Sequence, residues 1–177
     1  MNEFSILLER LSALQRNLMR KFAVEHGLQT VHVEILSYLG RCNRYSDTTQ
    51  ALTEYLGQTK GSISQSLAVL EEKLLVRRAQ DESDRRIFHL HLSTKAKRLM
   101  EDYDSNYTVE PAKSLDAKGL LAALRDTQAK HGFRGFGICS SCKYCEHPGR
   151  EQFVCGLTKE TLTKEETVKQ CREHETA

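Results

Sequence analysis

Residues 58–97 read QTKGSISQSLAVLEEKLLVRRAQDESDRRIFHLHLSTKAK, and the hydrophobic period changes inside them. Over 60–74, Ile63, Leu67, Leu70 and Leu74 recur at steps of three and four, which is one apolar stripe on a helix. The step then shortens to two. Phe88, Leu90 and Leu92 alternate with Ile87, His89 and His91, the pattern of a half-buried strand. Residues 76–80 are its expected partner, and the polar DESD at 81–84 fits a hairpin tip. Ser93 then stands as the N-cap of a further helix over 94–105, carrying Leu99, Met100 and Tyr103.

Upstream, residues 48–56 predict a short helix capped by Asp47 or Thr48, with Ala51, Leu52 and Leu56 inward and Gly57 at the C′ position. Only a few residues separate it from the helix at 60–74, which is helix-turn-helix spacing. Farther out, Phe4, Leu7, Leu8, Leu11, Leu14, Leu18 and Phe22 mark a long helix over 3–25 that Gly27 stops. Val33, Leu36 and Leu39 mark a second over 31–39, with Thr30 as its cap. Downstream, DSNYTVEPAKS at 104–114 reads as a linker or bend, and Leu120, Leu121 and Leu124 place a helix over 115–130. Gly132, Gly135 and Gly137 then mark a boundary. The expected domains are therefore 1–131 and a cysteine-rich tail, 132–177.

At 39% hydrophobic and 28% charged, the chain has enough apolar residues for a core and reads as soluble. It has no run of apolar residues long enough for a bilayer, and the opening MNEFSILLERL lacks the basic start of a signal peptide. A cytoplasmic location is expected. The net charge of +2 makes any basic surface local, and such an excess exists in Arg77, Arg78, Arg85, Arg86, Lys95, Lys97 and Arg98.

With Ile63, Leu67 and Leu70 facing inward, Ser62, Ser64, Gln65 and Ser66 form the candidate reading face of the 60–74 helix. Short hydroxyls let a helix sink into a major groove, and glutamine can pair with adenine through two bonds. Thr59 and Lys60, at its N-terminus, are placed for phosphate. Arg85 and Arg86 sit just past the hairpin tip, where they can enter a minor groove or clamp phosphate. Asp81 and Asp84 flank them and can hold an arginine in one pose. A solvated helix face and an ordinary charged turn are the plainer readings of each piece. The ordered set of helix, turn, hydroxyl-faced helix, arginine wing and helix favours double-stranded DNA.

On these residues the segment 29–100 resembles the MarR family of winged-helix regulators. The resemblance implies a mainly α fold with a small β wing, a winged helix-turn-helix whose N- and C-terminal helices form a homodimer. It implies a near-palindromic operator, a repressor rather than an enzyme, and a small-molecule or oxidant signal near the second and fifth helices. Three positions depart from that family. Leu74 stands where glycine is usual, Ser83 where a wing arginine is frequent, and Ala96 where glycine often opens the next helix.

The tail carries five of the six cysteines, in GICSSCKYCEHPGREQFVCGLTKETLTKEETVKQCREHE at 137–175. Cys139, Cys142, Cys155 and Cys171 are separated by 2, 12 and 15 residues, and Cys145 extends the pair to C-x2-C-x2-C. In a reducing cytosol such clustering favours metal over disulfides. Ile138, Phe153, Val154, Leu157, Leu162 and Val168 are too few for a core. Zinc–thiolate binding, about 10–16 kcal/mol in small peptides, would supply the missing free energy. Zinc held by Cys139, Cys142, Cys155 and Cys171 is favoured, and a 4Fe–4S cluster is the alternative. The string also resembles small four-cysteine modules that carry such a cluster, in which an aromatic stands at the position of Cys145. That leaves Cys145 as a spare, a substitute ligand or a resolving thiol. His147 and His174 are further candidates, more simply read as solvated, and Cys42 reads as a small core or surface residue.

The expected function is a sequence-specific, dimeric DNA-binding repressor with a thiolate metal site that is structural or sensory. A redox or electron-transfer protein on a winged-helix scaffold is the second reading, and a protein-interaction module the third. Nothing in the chain supplies a nucleophile with its base or a phosphate-cradling loop.

Overall fold

The computed structural model describes residues 2–108, 116–133, 135–149 and 152–175. In chain order these form helices α1 (Glu3–Glu25), α2 (Thr30–Arg41), α3 (Thr49–Leu56) and α4 (Lys60–Glu72), then strands β1 (Val76–Gln80) and β2 (Phe88–Leu92). Helices α5 (Thr94–Asn106) and α6 (Ala117–His131) follow. The tail contributes β3 (Gly137–Ile138), a 3-10 turn (Cys139–Ser141), β4 (Cys145–Gly149), β5 (Gln152–Cys155), β6 (Thr161–Leu162), α7 (Lys164–Thr167) and β7 (Gln170–Cys171). The fold is mainly helical with a two-stranded β1–β2 wing. No described helix is long and apolar enough to cross a membrane. Of the expected linker at 104–114, residues 109–114 lie outside the described residues.

The chain divides into two compact units, each discontinuous in sequence. The first takes in 1–40, 61–78 and 90–115. Its core is built by Phe22, Val33, Ile35, Leu36, Tyr38, Ile63, Leu67, Leu70, Leu90, Met100 and Tyr103. Each large apolar side chain buried there contributes about 1.5–3 kcal/mol. The Phe22 ring meets Tyr103 and Tyr107 edge-on at 5.1 and 5.0 Å, and Gln15 Nε2 donates to the Tyr103 hydroxyl at 2.8 Å. Ser93 caps α5 by accepting from the Ala96 amide, as its sequence position predicts.

Several details differ from expectation. Thr30 is the first residue of α2 rather than its cap; the Gln29 carbonyl receives the His32 and Val33 amides, while the His32 ring accepts from the Gln29 amide. Phe88 is 44% exposed, so of the alternating apolar set only Leu90 is fully inward, because the strand begins beside the solvated hairpin tip. The apolar stripe of α1 is buried only at its C-terminal end, at Phe22; Phe4, Leu7, Leu8, Leu11 and Leu14 are 41–60% exposed.

Leu74 has a φ of 57° in the turn between α4 and β1, and its side chain is largely exposed. An L-residue pays roughly 1 kcal/mol in this left-handed region, and glycine does not. Leu74→Gly should therefore raise stability by about 0.5–1 kcal/mol, net of the added freedom of the unfolded chain. Urea denaturation checks it, and a lower midpoint would show that the Leu74 side chain makes up for the strain.

The second unit takes in 41–60, 79–89 and 116–177. Thr48 caps α3 by accepting from the Ala51 amide at 3.2 Å, and Gly57 ends it at φ 63°. The tail holds two small sheets. In the first, β3 pairs antiparallel with β7, setting Gly137 opposite Cys171. In the second, β4, β5 and β6 form a meander with Cys145 opposite Cys155. A Cβ on Gly137 would lie 2.4 Å from the His174 ring, so only glycine fits there. Among the described residues the tail buries Leu162 together with Cys139 and Cys171, while Ile138, Leu157 and Val168 remain substantially exposed. The tail is instead seated on the 41–60 segment by polar contacts: the Asn43 amide donates to the Gln170 carbonyl at 2.9 Å, and Cys42 bridges Gln170 in parallel.

Candidate nucleic-acid interface and cysteine centre

Helix α4 is sharply two-sided. Ile63, Leu67 and Leu70 are 0% exposed, while Ser62, Ser64 and Gln65 are exposed, as are Thr59 and Lys60 at its N-terminus. Ser66 departs from the expected reading face. At 8% exposed it lies with the buried stripe, three residues after Ile63 and one before Leu67, so helical spacing turns it inward.

At the wing tip Asp81 Oδ1 accepts from the Ser83 amide, the Ser83 hydroxyl and the Asp84 amide at 2.6–2.8 Å, closing an Asx turn. The Ser83 hydroxyl and these amides hold the Asp81 carboxyl well below the usual range. Asp84 grips the Arg86 guanidinium with both oxygens, Nε at 2.9 Å and Nη2 at 2.7 Å, while the Arg86 side chain stays 90% exposed. The arginine is thus fixed in one pose and presented to solvent. Arg85 is exposed, and its carbonyl accepts from Gln80 Nε2 at 2.7 Å.

His89 was not singled out by its sequence, yet it joins the wing to the N-terminus of α3. Its Nδ1 lies 2.5 Å from Asp47 and its Nε2 3.0 Å from Asp81. Burial disfavours its charge, but the two carboxylates outweigh that and raise its pKa. The folded value therefore exceeds the unfolded one. The stabilisation is complete below about pH 6.5 and is lost as pH rises through the raised folded value. Stability should fall as pH rises above about 6.5, and His89→Gln should flatten that slope in urea titrations. An unchanged slope would mean that His89 is not the group responsible.

In the tail, five cysteines line a single cavity: Cys139, Cys142, Cys145, Cys155 and Cys171, walled by Asn43, Tyr45, Tyr144 and Leu157. Its volume is about 40 Å³. The local geometry follows from the spacing. The Cys142 amide donates to the Cys139 carbonyl at 2.9 Å and the Cys145 amide to Cys142 at 3.0 Å, so each C-x2-C step is one tight turn. The β4–β5 ladder brings Cys155 across, and β7 delivers Cys171. All five are free thiols. Burial pushes the Cys139 thiol up to about 12, and Cys145, Cys171 and Cys142 push the same way. Burial likewise raises Cys145 and Cys171. Ionising several of these sulfurs together therefore needs a cation among them. Among the described residues, no three His, Cys, Asp or Glu side chains stand in an arrangement ready for one ion.

Backbone amides face the sulfurs. Glu175 donates to Cys142 Sγ at 3.5 Å, and the Glu173 amide bonds Cys171. His147 is exposed and does not line the cavity, whereas His174 meets the Ser141 hydroxyl at 3.0 Å. Cys42 is buried outside the cavity, and burial pushes its thiol up to about 12.

The residues that seat this cavity were missed by sequence reasoning. Asn43 and Ser46 are 3% and 0% exposed, and both side chains contact the Cys171 thiol. The Arg172 amide donates to Ser46 Oγ at 2.8 Å, and its guanidinium forks onto Glu54 of α3 at 2.6 and 2.8 Å. Arg44 reaches Glu166 at 2.6 Å and Glu160 at 3.1 Å. The available signal was the dense polar run RCNRYSD at 41–47, too rich in hydrogen-bonding groups for a plain connection.

Residues 26–87 match the family model of the MarR family. Solved structures share the fold. The transcription regulator MarR from Oenococcus oeni PSU-1 is 20% identical over 73% of this chain and 99% of its own, with a TM-score of 0.57. CouR from Rhodococcus jostii RHA1, bound to p-coumaroyl-CoA, is 20% identical over 77% and 96%, at 0.54. The S. aureus MepR–DNA complex is 18% identical over 75% and 98%, at 0.53. At these identities the likeness is one of fold. No curated protein matches the sequence.

Proposed function

We propose that this protein is a sequence-specific DNA-binding transcriptional regulator, a homodimeric repressor of a near-palindromic operator, with a thiolate metal centre in its tail. The observation that carries the reading is the two-sided α4, which keeps Ser62, Ser64 and Gln65 in solvent over a fully buried apolar face. In a winged helix this helix enters the major groove, and a wing arginine such as Arg86 reaches phosphate or the flanking minor groove. Thr59, Lys60 and Arg85 add phosphate contacts, and Asp81 and Asp84 shape the wing.

The dimer is supported by apolar surface left in solvent on both terminal helices, Phe4, Leu7 and Leu8 on α1 and Leu120, Leu121 and Leu124 on α6. A monomer gains nothing by exposing such stripes, whereas a two-fold partner buries them. The metal centre is supported by the convergence of Cys139, Cys142, Cys145, Cys155 and Cys171 on one cavity. When bound, a metal there would cross-link a segment with almost no apolar core.

The test is binding of the purified protein to duplex DNA from its own promoter region, against scrambled duplex, over a series of salt concentrations. A specific complex with two chains per site and a steep salt slope is expected. Equal affinity for both duplexes would overturn the reading.

A further inference from the structure

We infer that the five-thiol cavity takes a cubane iron–sulfur cluster rather than a single zinc ion, and that binding it stiffens α3 and the 42–48 loop. The inference rests on the reading of the tail as a thiolate metal centre. Two observations favour a cluster. C-x2-C-x2-C is the spacing by which consecutive tight turns give three sulfurs to one cluster, with a remote cysteine as the fourth. Amides of Glu173 and Glu175 face Cys171 and Cys142, the kind of contact that spreads the negative charge of cluster thiolates.

Loading is a ligand exchange. A cluster carried by small thiolates gives up those thiolates, which leave with the protons of the protein thiols, and four cysteine sulfurs take their places on iron. No electron is transferred. Five cysteines line the cavity, so with Cys139, Cys142 and Cys145 as the closely spaced set and Cys171 as the remote ligand, the Cys155 sulfur is left over and able to substitute.

Occupancy reaches α3 through three consecutive residues. Gln170 accepts from the Asn43 amide, Cys171 contacts the Asn43 and Ser46 side chains, and Arg172 bonds Ser46 and forks onto Glu54. Among the described residues this segment pairs through the two-residue β3–β7 ladder and a single bridge from Gln170 to Cys42, too short to hold by themselves. Fixing the Cys171 sulfur on iron therefore fixes the partners of α3.

The experiment takes full-length protein freed of metal and exposes it, without oxygen, either to zinc or to a cubane cluster ligated by small thiols. Retained iron and acid-labile sulfide are measured after gel filtration, together with amide hydrogen exchange. About four irons and four sulfides per chain should be retained. Exchange across 42–56 should slow about tenfold on loading. Glu54→Gln should keep the cluster but lose most of the slowing within α3. One tightly held zinc that blocks cluster uptake would overturn the first half of the inference. Full cluster uptake with unchanged exchange across 42–56 would overturn the second. Neither readout involves DNA, so failure to bind an operator overturns only the proposed function.

Discussion

Changing Gln65 and Arg86 together to alanine should weaken operator binding by at least about 100-fold while leaving the dimer intact. A good base-edge contact is worth roughly 1–3 kcal/mol, and each 1.4 kcal/mol is tenfold. Gln65 can offer a bidentate pair from the exposed face of α4, and its removal uncovers no buried partner. Arg86 is already oriented by Asp84, so little side-chain entropy is lost when it meets the DNA. The two losses should differ in kind. Gln65→Ala should relax preference at one position per half-site. Arg86→Ala should weaken all sequences similarly if it holds phosphate and lower the salt slope by about 2, one contact from each protomer. Fluorescence anisotropy against matched and mismatched duplexes separates these effects, and sedimentation verifies the dimer. Full affinity in the double variant would remove both α4 and the wing from the interface.

Arg172→Ala should cost the second unit about 2–3 kcal/mol. The Arg172 and Glu54 side chains are 17% and 26% exposed, so the pair is mostly withdrawn from water. Breaking a fully buried pair leaves an uncompensated charge and costs about 3–5 kcal/mol, and partial exposure reduces this. Glu54 keeps the Gln50 amide at 3.1 Å. Combining Arg172→Met with Glu54→Leu should restore much of the loss, because the less exposed carboxylate, Glu54, is then gone and only the more exposed Glu173 loses its partner. Denaturation followed by a probe on α3 checks both results. If the single variant is as stable as the parent, the fork is a surface contact of no weight.

The winged helix was legible because its information is local. Steps of three and four, then of two, are set by residues within one element, and the caps at Thr48 and Ser93 and the stop at Gly57 are short-range hydrogen-bond chemistry. Ser66 was misplaced because a small polar residue at the edge of a stripe carries no hydrophobic signal. The N-terminal part of α1 shows the converse. Its stripe is real, but periodicity states that a face seeks cover, not whether the same chain supplies it.

For the tail, the spacing of the cysteines announced convergence, and all five do line one cavity. Its β strands were illegible: β3, β6 and β7 are two residues long, and β4 carries Pro148. The seat on Asn43, Ser46 and Glu54 was illegible for another reason. Those contacts join residues more than a hundred positions apart through ordinary polar side chains, and neither end marks the other.

That separation also sets an order of events during synthesis. The segment 41–60 emerges early, but its partners at 170–172 emerge only after the intervening α4, wing, α5 and α6 have been made. Until then Asn43, Ser46 and Glu54 lack those partners, and β3 has no strand to pair with. The first unit, complete at residue 115, can gather while the second waits. A nascent chain thus passes through a stage with its reading helix built but the seat of α3 open, and translation of Cys171 and Arg172 ends that stage.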